Sequence, residues 1–115
     1  MHVIDDDAAL RESFEVLLEC QGMKAHSYAS AEEFCRNATF LPIDCLIIDV
    51  EMPGASGVNL LDQLRRKGAI TPALIVTGRR VTEDLRLAAD RLKAAILEKP
   101  ILPEELISAV RNALV

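Results

Sequence analysis

The stretch CLIIDVEMPG at residues 45–54 decides the fold. Its apolar run predicts a β-strand that is buried on both faces, and Pro53-Gly54 predicts a turn shortly after the strand. Asp49 ends this strand with a charge that packing alone does not predict. Because open α/β sheets bind their ligands at the carboxyl ends of strands, we take Asp49 as the chemical centre of the protein. The alternative is a solvated carboxylate that only ends a strand.

Length and composition predict one folded domain, residues 1–115. The chain is 50% hydrophobic, which is enough for a core without disulfides or a structural metal. Its three cysteines form no C-x-x-C pair, and their odd number argues against a disulfide framework. No apolar run approaches the roughly 18 residues of a membrane span, and no signal segment opens the sequence. We therefore expect a cytoplasmic protein that does not enter the membrane.

The charge distribution argues against direct nucleic-acid binding by this domain. The net charge is -5, and the chain has one Tyr, three Phe and no Trp on which bases could stack. The basic trio at residues 65–67 ends a predicted helix. A solvated face that suits the negative end of the helix dipole explains this trio better than a phosphate or nucleic-acid site.

Apolar segments alternate with amphipathic ones along the whole chain. The first strand, residues 1–4, runs into three acids at residues 5–7, and Asp7 is the expected N-cap of a helix that begins at Ala8. The later strands are predicted at residues 23–28, 45–49, 73–76 and 94–97, with a connector at residues 41–44. The last helix is expected to begin at Pro103 and to bury Leu106, Val110, Ala113 and Leu114.

Five βα units predict an α/β fold, a flavodoxin-like (βα)5 doubly wound parallel sheet with strand order 2-1-3-4-5. In such a sheet every strand ends at the same edge. The polar residues expected at this edge are Asp5, Asp6, Asp49, Thr77 and Lys99. Strands one and three are neighbours, about 4.8 Å apart, so their acids are expected to share a pocket. Gly57 is expected to permit a close approach of the backbone nearby.

Three carboxylates in one pocket favour a bound cation, because they cannot all stay ionised without one. Oxygen ligands suit Mg²⁺ better than a metal that prefers thiols or imidazoles. Lys99 could neutralise a developing anion and Thr77 could donate a hydrogen bond to it, which makes a phosphoryl site the sharper interpretation. In the alternative interpretation, Lys99 only pairs with an acid and Thr77 satisfies backbone groups.

Four motifs resemble those of the receiver domain of two-component response regulators. They are Val3-Ile4-Asp5-Asp6-Asp7, Asp49-Val50-Glu51-Met52-Pro53 with Gly57, Thr77-Gly78, and Lys99-Pro100. The resemblance covers the whole chain in order and spacing. Residues 3–9 and 77–78 are most similar to the FixJ-type branch, whose members usually carry a DNA-binding domain after the receiver. None is present here. The start at the first strand and the stop at the end of the last helix lead us to expect a receiver cut from a longer regulator.

The resemblance implies a role for each residue at the strand ends. Asp49 would be the phosphoacceptor, the nucleophile that takes a phosphoryl group from the phosphohistidine of a histidine kinase. Mg²⁺, with Mn²⁺ as a substitute, would bind the side chains of Asp6 and Asp49 and the backbone carbonyl of Glu51. Asp5 would hold a water on the metal. The metal and Lys99 would offset the charge on the phosphoryl oxygens during transfer.

The resemblance also implies switch residues, and here the sequence departs from the family. Thr77 would swing towards the phosphoryl oxygen, and an aromatic residue three positions before Lys99 would turn inward. Ile96 occupies that position, so an aromatic flip cannot be the relay. We expect the surface of the fourth helix, fifth strand and fifth helix to respond to phosphorylation of Asp49 weakly or by a different movement.

Lys99-Pro100 is expected to be cis. Arg79-Arg80 is expected to be a solvated loop, or else a basic gate for phosphate.

The predicted function is therefore a phosphoacceptor receiver domain that relays a signal to an output such as transcription. It is expected to modify only itself rather than to turn over a substrate, with a sensor histidine kinase as partner and a homodimer formed on phosphorylation. An aspartyl phosphatase is disfavoured because the D-x-D-x-T pattern is missing after the first strand. A flavin or nucleotide carrier is disfavoured because neither glycine-rich phosphate motif occurs. The main alternative is a phosphorylation-independent receiver-like module for protein interaction.

Overall fold

The computed structural model describes residues 1–37, 45–52, 56–78 and 80–114. Its elements are β1 His2–Ile4, α1 Ala8–Cys20, β2 His26–Tyr28, α2 Ala31–Asn37, β3 Leu46–Asp49, α3 Gly57–Arg66, β4 Ala73–Thr77, α4 Glu83–Leu92, β5 Ala94–Glu98 and α5 Pro103–Leu114. The five strands are parallel and lie in the order β2-β1-β3-β4-β5, which confirms the predicted fold class. The predicted connector at residues 41–44, the Pro53-Gly54 turn and Arg79 lie outside the described residues.

Helices cover both faces of the sheet because successive residues of each strand point to opposite sides. On one face the central strands contribute Ile4, Ile48 and Ile75, which pack with the buried side chains of α2, α3 and α4. On the other face they contribute Val3, Ile47 and Leu74, which pack with α1 and α5. This two-sided burial explains why the central strands read as continuous apolar runs. It also leaves the strand ends as the places where polar side chains can collect.

Side-chain caps fix the starts of several helices. Asp7 is the N-cap of α1, as predicted, and its carboxylate accepts hydrogen bonds from the backbone N–H groups of residues 9 and 10. Ser56 caps α3 and Thr82 caps α4 in the same way, each through its hydroxyl oxygen. These caps hold the beginnings of the helices close to the carboxyl edge of the sheet.

Two details of the predicted elements were wrong. Strand β2 begins at His26 rather than at Met23, because the Met23 N–H donates to the Leu18 carbonyl at the end of α1 and is not available for the sheet. Leu114 was expected to be buried but is 41% exposed. It is the last residue of α5, so no further turn of the helix covers it. In the described part of the chain, no helix combines the length and the apolar character needed to cross a membrane.

Candidate functional site

Three carboxylates meet at the carboxyl edge of the sheet. Asp5 follows β1 and Asp49 ends β3, and these strands pair directly, with Ile4 opposite Ile48. One carboxylate oxygen from each of Asp5, Asp6 and Asp49 lies within 4.8 Å of the other two. Asp5 and Asp49 are only 2% and 3% exposed, whereas Asp6 is exposed to solvent. We call these three residues, together with Lys99, the acidic pocket.

Backbone hydrogen bonds orient the two buried carboxylates in the same way. The Asp7 N–H donates to Oδ1 of Asp5 at 2.9 Å, and the Glu51 N–H donates to Oδ1 of Asp49 at 3.0 Å. The other oxygen of each carboxylate faces Lys99, whose Nζ lies 3.6 Å from Oδ2 of Asp5 and 3.4 Å from Oδ2 of Asp49. Each carboxylate therefore has one oxygen held by the backbone and one oxygen turned towards the ammonium group.

Burial and charge shift the titration of the pocket. Burial raises the pKa of Asp5 to about 6; the backbone hydrogen bond from Asp7 opposes this shift, and the nearby Asp49 carboxylate adds to it. For Lys99, burial acts to lower the pKa, but the carboxylates of Asp49 and Asp5 outweigh burial and raise it. Lys99 is thus a stable cation, and its single charge does not balance three carboxylates. An additional cation fits the chemistry of this donor set.

Thr77 ends β4, which lies between β3 and β5. Asp49 ends β3, and Lys99 directly follows β5. Thr77 is 1% exposed, and its hydroxyl lies 3.5 Å from Oε1 of Glu51, which is a long hydrogen bond. The Lys99 N–H donates to the Thr77 carbonyl at 2.8 Å. The backbone groups of Thr77 and Lys99 are therefore joined directly, and the Thr77 side chain lies beside that of Glu51.

One expectation about the backbone near the switch position is confirmed by the structure. The Lys99-Pro100 peptide bond is cis, as expected. Ile96 lies two residues before the end of β5, is partly buried, and packs against the core on the side of α2, α3 and α4. The side chain at this position is therefore part of the aliphatic packing beneath α4.

A glycine lets α3 begin directly against the strand that carries Asp49. A Cβ atom added at Gly57 would lie 2.2 Å from the backbone oxygen of Asp49, a distance at which the two atoms would overlap. The Gly57 N–H also donates to the Val50 carbonyl at 3.3 Å. The close approach predicted for Gly57 is confirmed, and it supports the backbone next to Asp49.

Sequence reasoning missed Arg11, which lies in the second turn of α1. Its Nη1 donates to the Asp5 carbonyl at 2.6 Å, so the guanidinium group holds the backbone at the start of the acidic loop. Side chains of helical residues point back towards the N-terminus of the helix. That direction, together with the position of Arg11 six residues after Asp5, is a signal that could have identified it.

A cleft of about 810 Å³ lies away from the acidic pocket, between the ends of α3, α4 and α5. Arg65 lines this cleft, and its guanidinium group donates to the carbonyls of Leu92, Ala69 and Thr71. Burial lowers the pKa of Arg65. These hydrogen bonds connect α3 to the end of α4 and to the loop before β4. None of the predicted site residues lines the cleft.

Comparisons with known proteins agree with this geometry. The family model described as response regulator receiver domain matches residues 1–111. The transcriptional regulatory protein FixJ of Azorhizobium caulinodans is 40% identical over 99% of this chain and 54% of its own length. The response regulator protein TodT of Pseudomonas putida is 32% identical over 99% and 50%. A crystal structure of FixJ-N is 27% identical, with a TM-score of 0.82 over 98% of this chain and 90% of that one. The chain thus spans about half the length of these two curated relatives.

Proposed function

Because the chain belongs to the response regulator receiver domain family, we propose that Asp49 is the residue that accepts the phosphoryl group in this receiver. The observation that carries the proposal is the position of the Asp49 carboxylate. It is buried at the end of β3, within 3.4 Å of the Lys99 ammonium group and grouped with Asp5 and Asp6. A carboxylate in this position is a nucleophile with a cation already beside it.

The two oxygens of Asp49 have different tasks in this proposal. Oδ1 keeps its hydrogen bond from the Glu51 N–H, and Oδ2 is the attacking atom. As the bond from Oδ2 to phosphorus forms, the bond from phosphorus to the histidine nitrogen of the kinase breaks, and its electron pair returns to the imidazole. With a proton on the other ring nitrogen of the phosphohistidine, the products are an acyl phosphate on Asp49 and a neutral histidine on the kinase.

Mg²⁺, with Mn²⁺ as a substitute, is the cofactor that the donor set fits. The side chains of Asp6 and Asp49 and the backbone carbonyl of Glu51 would hold the ion, and Asp5 would act on it through a water. When bound, the ion would offset negative charge on the phosphoryl oxygens. The support from this chain is the group of carboxylate oxygens within 4.8 Å and the burial that raises the pKa of Asp5.

Thr77 and Lys99 complete the proposed site. The raised pKa of Lys99 keeps its ammonium group charged, so it can move from Oδ2 of Asp49 to the incoming phosphoryl oxygens. Thr77 is buried at the end of β4, and its hydroxyl, which lies 3.5 Å from Glu51, is the donor proposed for a phosphoryl oxygen. Ile96 is the switch position without an aromatic side chain.

Receiver domains of this family are signalling modules, and the proposed output follows from the relatives. Because response regulators act in two-component signalling, we propose a sensor histidine kinase as the phosphoryl donor. FixJ is a transcriptional regulatory protein, so we propose transcription as the process that this receiver controls, with a homodimer formed on phosphorylation. A cytoplasmic location belongs to the same proposal. In this proposal the receiver modifies only itself. Its net charge of -5 disfavours direct nucleic-acid binding by this domain.

Incubation with acetyl phosphate and Mg²⁺, followed by intact mass spectrometry, tests the proposed function. We expect one added phosphoryl group on the wild-type protein, which EDTA and Asp49→Asn abolish. Asp90→Asn, which changes an exposed carboxylate on α4, is the matched control and should be labelled like the wild type. Equal labelling of Asp49→Asn would contradict the proposal. No labelling of the wild type would favour a phosphorylation-independent module, and steady release of product from a phosphoester would favour a hydrolase.

A further inference from the structure

The end of β5 is joined to Thr77 through the backbone. In the sheet, Glu98 lies opposite Thr77, and the N–H of the following residue, Lys99, donates to the Thr77 carbonyl at 2.8 Å. Glu98 therefore lies one residue from the ammonium group of the acidic pocket and directly across from the hydroxyl-bearing residue. A displacement of the Thr77 backbone would therefore act on this part of β5 through a direct hydrogen bond.

The side chain of Glu98 extends the connection from the sheet to α4. Its Oε1 accepts a hydrogen bond from the Val81 N–H at 3.1 Å. Val81 immediately precedes Thr82, the N-cap of α4, whose hydroxyl oxygen accepts from the Leu85 N–H at 3.1 Å. A carboxylate that accepts from a backbone N–H makes a charge-assisted bond. Because Glu98 is exposed to solvent, we count this bond as one ordinary hydrogen bond. Three hydrogen bonds, linked by the short covalent steps from Lys99 to Glu98 and from Val81 to Thr82, thus connect Thr77 to the first turn of α4.

The neighbouring switch position offers no comparable polar connection. Ile96 and Leu85 both pack against the core between the sheet and α4. A β-branched aliphatic side chain has one strongly preferred rotamer and no polar group with which to report on a new position. Among the described residues that join β5 to the start of α4, the Glu98 carboxylate is the group that holds a directional bond.

We propose that Glu98 is a positioning residue that couples Thr77 to α4 and takes over the relay for which the family's aromatic residue is absent. The inference rests on the proposed function, because it assumes that Thr77 moves when Asp49 carries a phosphoryl group. When Thr77 moves, the paired residue Glu98 moves with it, and the hydrogen bond to the Val81 N–H carries the start of α4 along. No bond to phosphorus is made or broken by Glu98.

Amide hydrogen exchange across residues 80–86, with and without acetyl phosphate and Mg²⁺, tests the coupling. The quantity to compare is the ratio of exchange rates between the two conditions. One hydrogen bond contributes enough free energy to change a two-state equilibrium constant by about fivefold. We therefore expect the difference in exchange rate between the two conditions to be about fivefold smaller in Glu98→Ala than in the wild type. Glu98→Gln retains an oxygen that can accept from Val81 and should keep most of the wild-type ratio.

The matched control is Glu104→Ala, which removes an exposed carboxylate from the first turn of α5. We expect the wild-type ratio for this variant, and a loss equal to that of Glu98→Ala would overturn the inference, because any nearby charge would then suffice. Intact mass spectrometry of the same samples separates the two claims. A phosphorylated Glu98→Ala protein with the wild-type ratio overturns only the role of Glu98. A wild-type protein that takes no phosphoryl group overturns both.

Discussion

Replacing Asp5 by Asn is expected to stabilise the metal-free protein at neutral pH. Burial raises the pKa of Asp5 from its ordinary 3.8 to about 6, so folding opposes ionisation of this carboxyl group. A shift of this size corresponds to about 3 kcal/mol. Asn has nearly the same shape, stays neutral, and can still accept the hydrogen bond that the Asp7 N–H donates to Oδ1. The substitution therefore removes the cost of ionisation and keeps the local backbone bond.

The sign of the pH dependence follows from linkage. A carboxyl group whose pKa is raised on folding binds protons more tightly in the folded state, so its penalty is absent below pH 3.8 and grows as the pH rises through about 6. At pH 7.5 we expect Asp5→Asn to increase the free energy of unfolding by up to about 3 kcal/mol, and at pH 5 by about half as much. The corresponding increase in Tm at pH 7.5 is roughly 10 °C.

Urea unfolding in EDTA at pH 7.5 and pH 5, followed by circular dichroism, measures both values. Asp90→Asn, on the exposed side of α4, is the matched control, and we expect little change from it at either pH. A gain for Asp5→Asn that is equal at both pH values would refute the electrostatic reasoning. A loss of stability at pH 7.5 would refute it more directly, because the ionised carboxylate would then be a net stabilising group.

Four further results are expected. Mg²⁺ at a hundred times its Kd should stabilise the wild type by about 2.7 kcal/mol in thermal unfolding, and Asp6→Asn should lose most of that gain. Gly57→Ala should destabilise the fold by about 1 to 3 kcal/mol in urea, because its Cβ would overlap the Asp49 oxygen. Lys99→Ala should slow labelling by acetyl phosphate at least about tenfold, with Lys99→Arg retaining part of the rate. Thr77→Ser should keep the wild-type change in amide exchange of α4 on phosphorylation, and Thr77→Val should lose it. A wild-type labelling rate for Lys99→Ala, or a wild-type change in exchange for Thr77→Val, would contradict the roles proposed for Lys99 and Thr77.

The grouping of the acidic residues could be predicted because it depends on topology. Five βα units bring all strand ends to one edge, and the strand order makes β1 and β3 neighbours. The distances among Asp5, Asp6 and Asp49 follow from that arrangement. Gly57 could be predicted for a similar reason, since a helix that starts close behind a strand end leaves no room for a side chain.

Other features depended on side-chain conformations and loop paths that the pattern of residue types does not determine. Arg11 reaches the Asp5 carbonyl only in a particular rotamer, and Glu98 meets the Val81 N–H only because the chain before α4 returns towards β5. The late start of β2 depends on the Met23 N–H, which bonds to the end of α1 instead of the sheet. In each case a hydrogen-bonding group could have several partners, and only the three-dimensional structure shows which partner it has.

Chemical trapping of the modified residue tests the central claim most directly. After reaction with acetyl phosphate and Mg²⁺, sodium borohydride reduces an aspartyl phosphate to homoserine, and peptide mass spectrometry locates the new residue. We predict homoserine at position 49 in the wild-type protein. Homoserine at position 5, at position 6 or at any other carboxylate, with position 49 unchanged, would contradict the assignment of Asp49 as the phosphoacceptor.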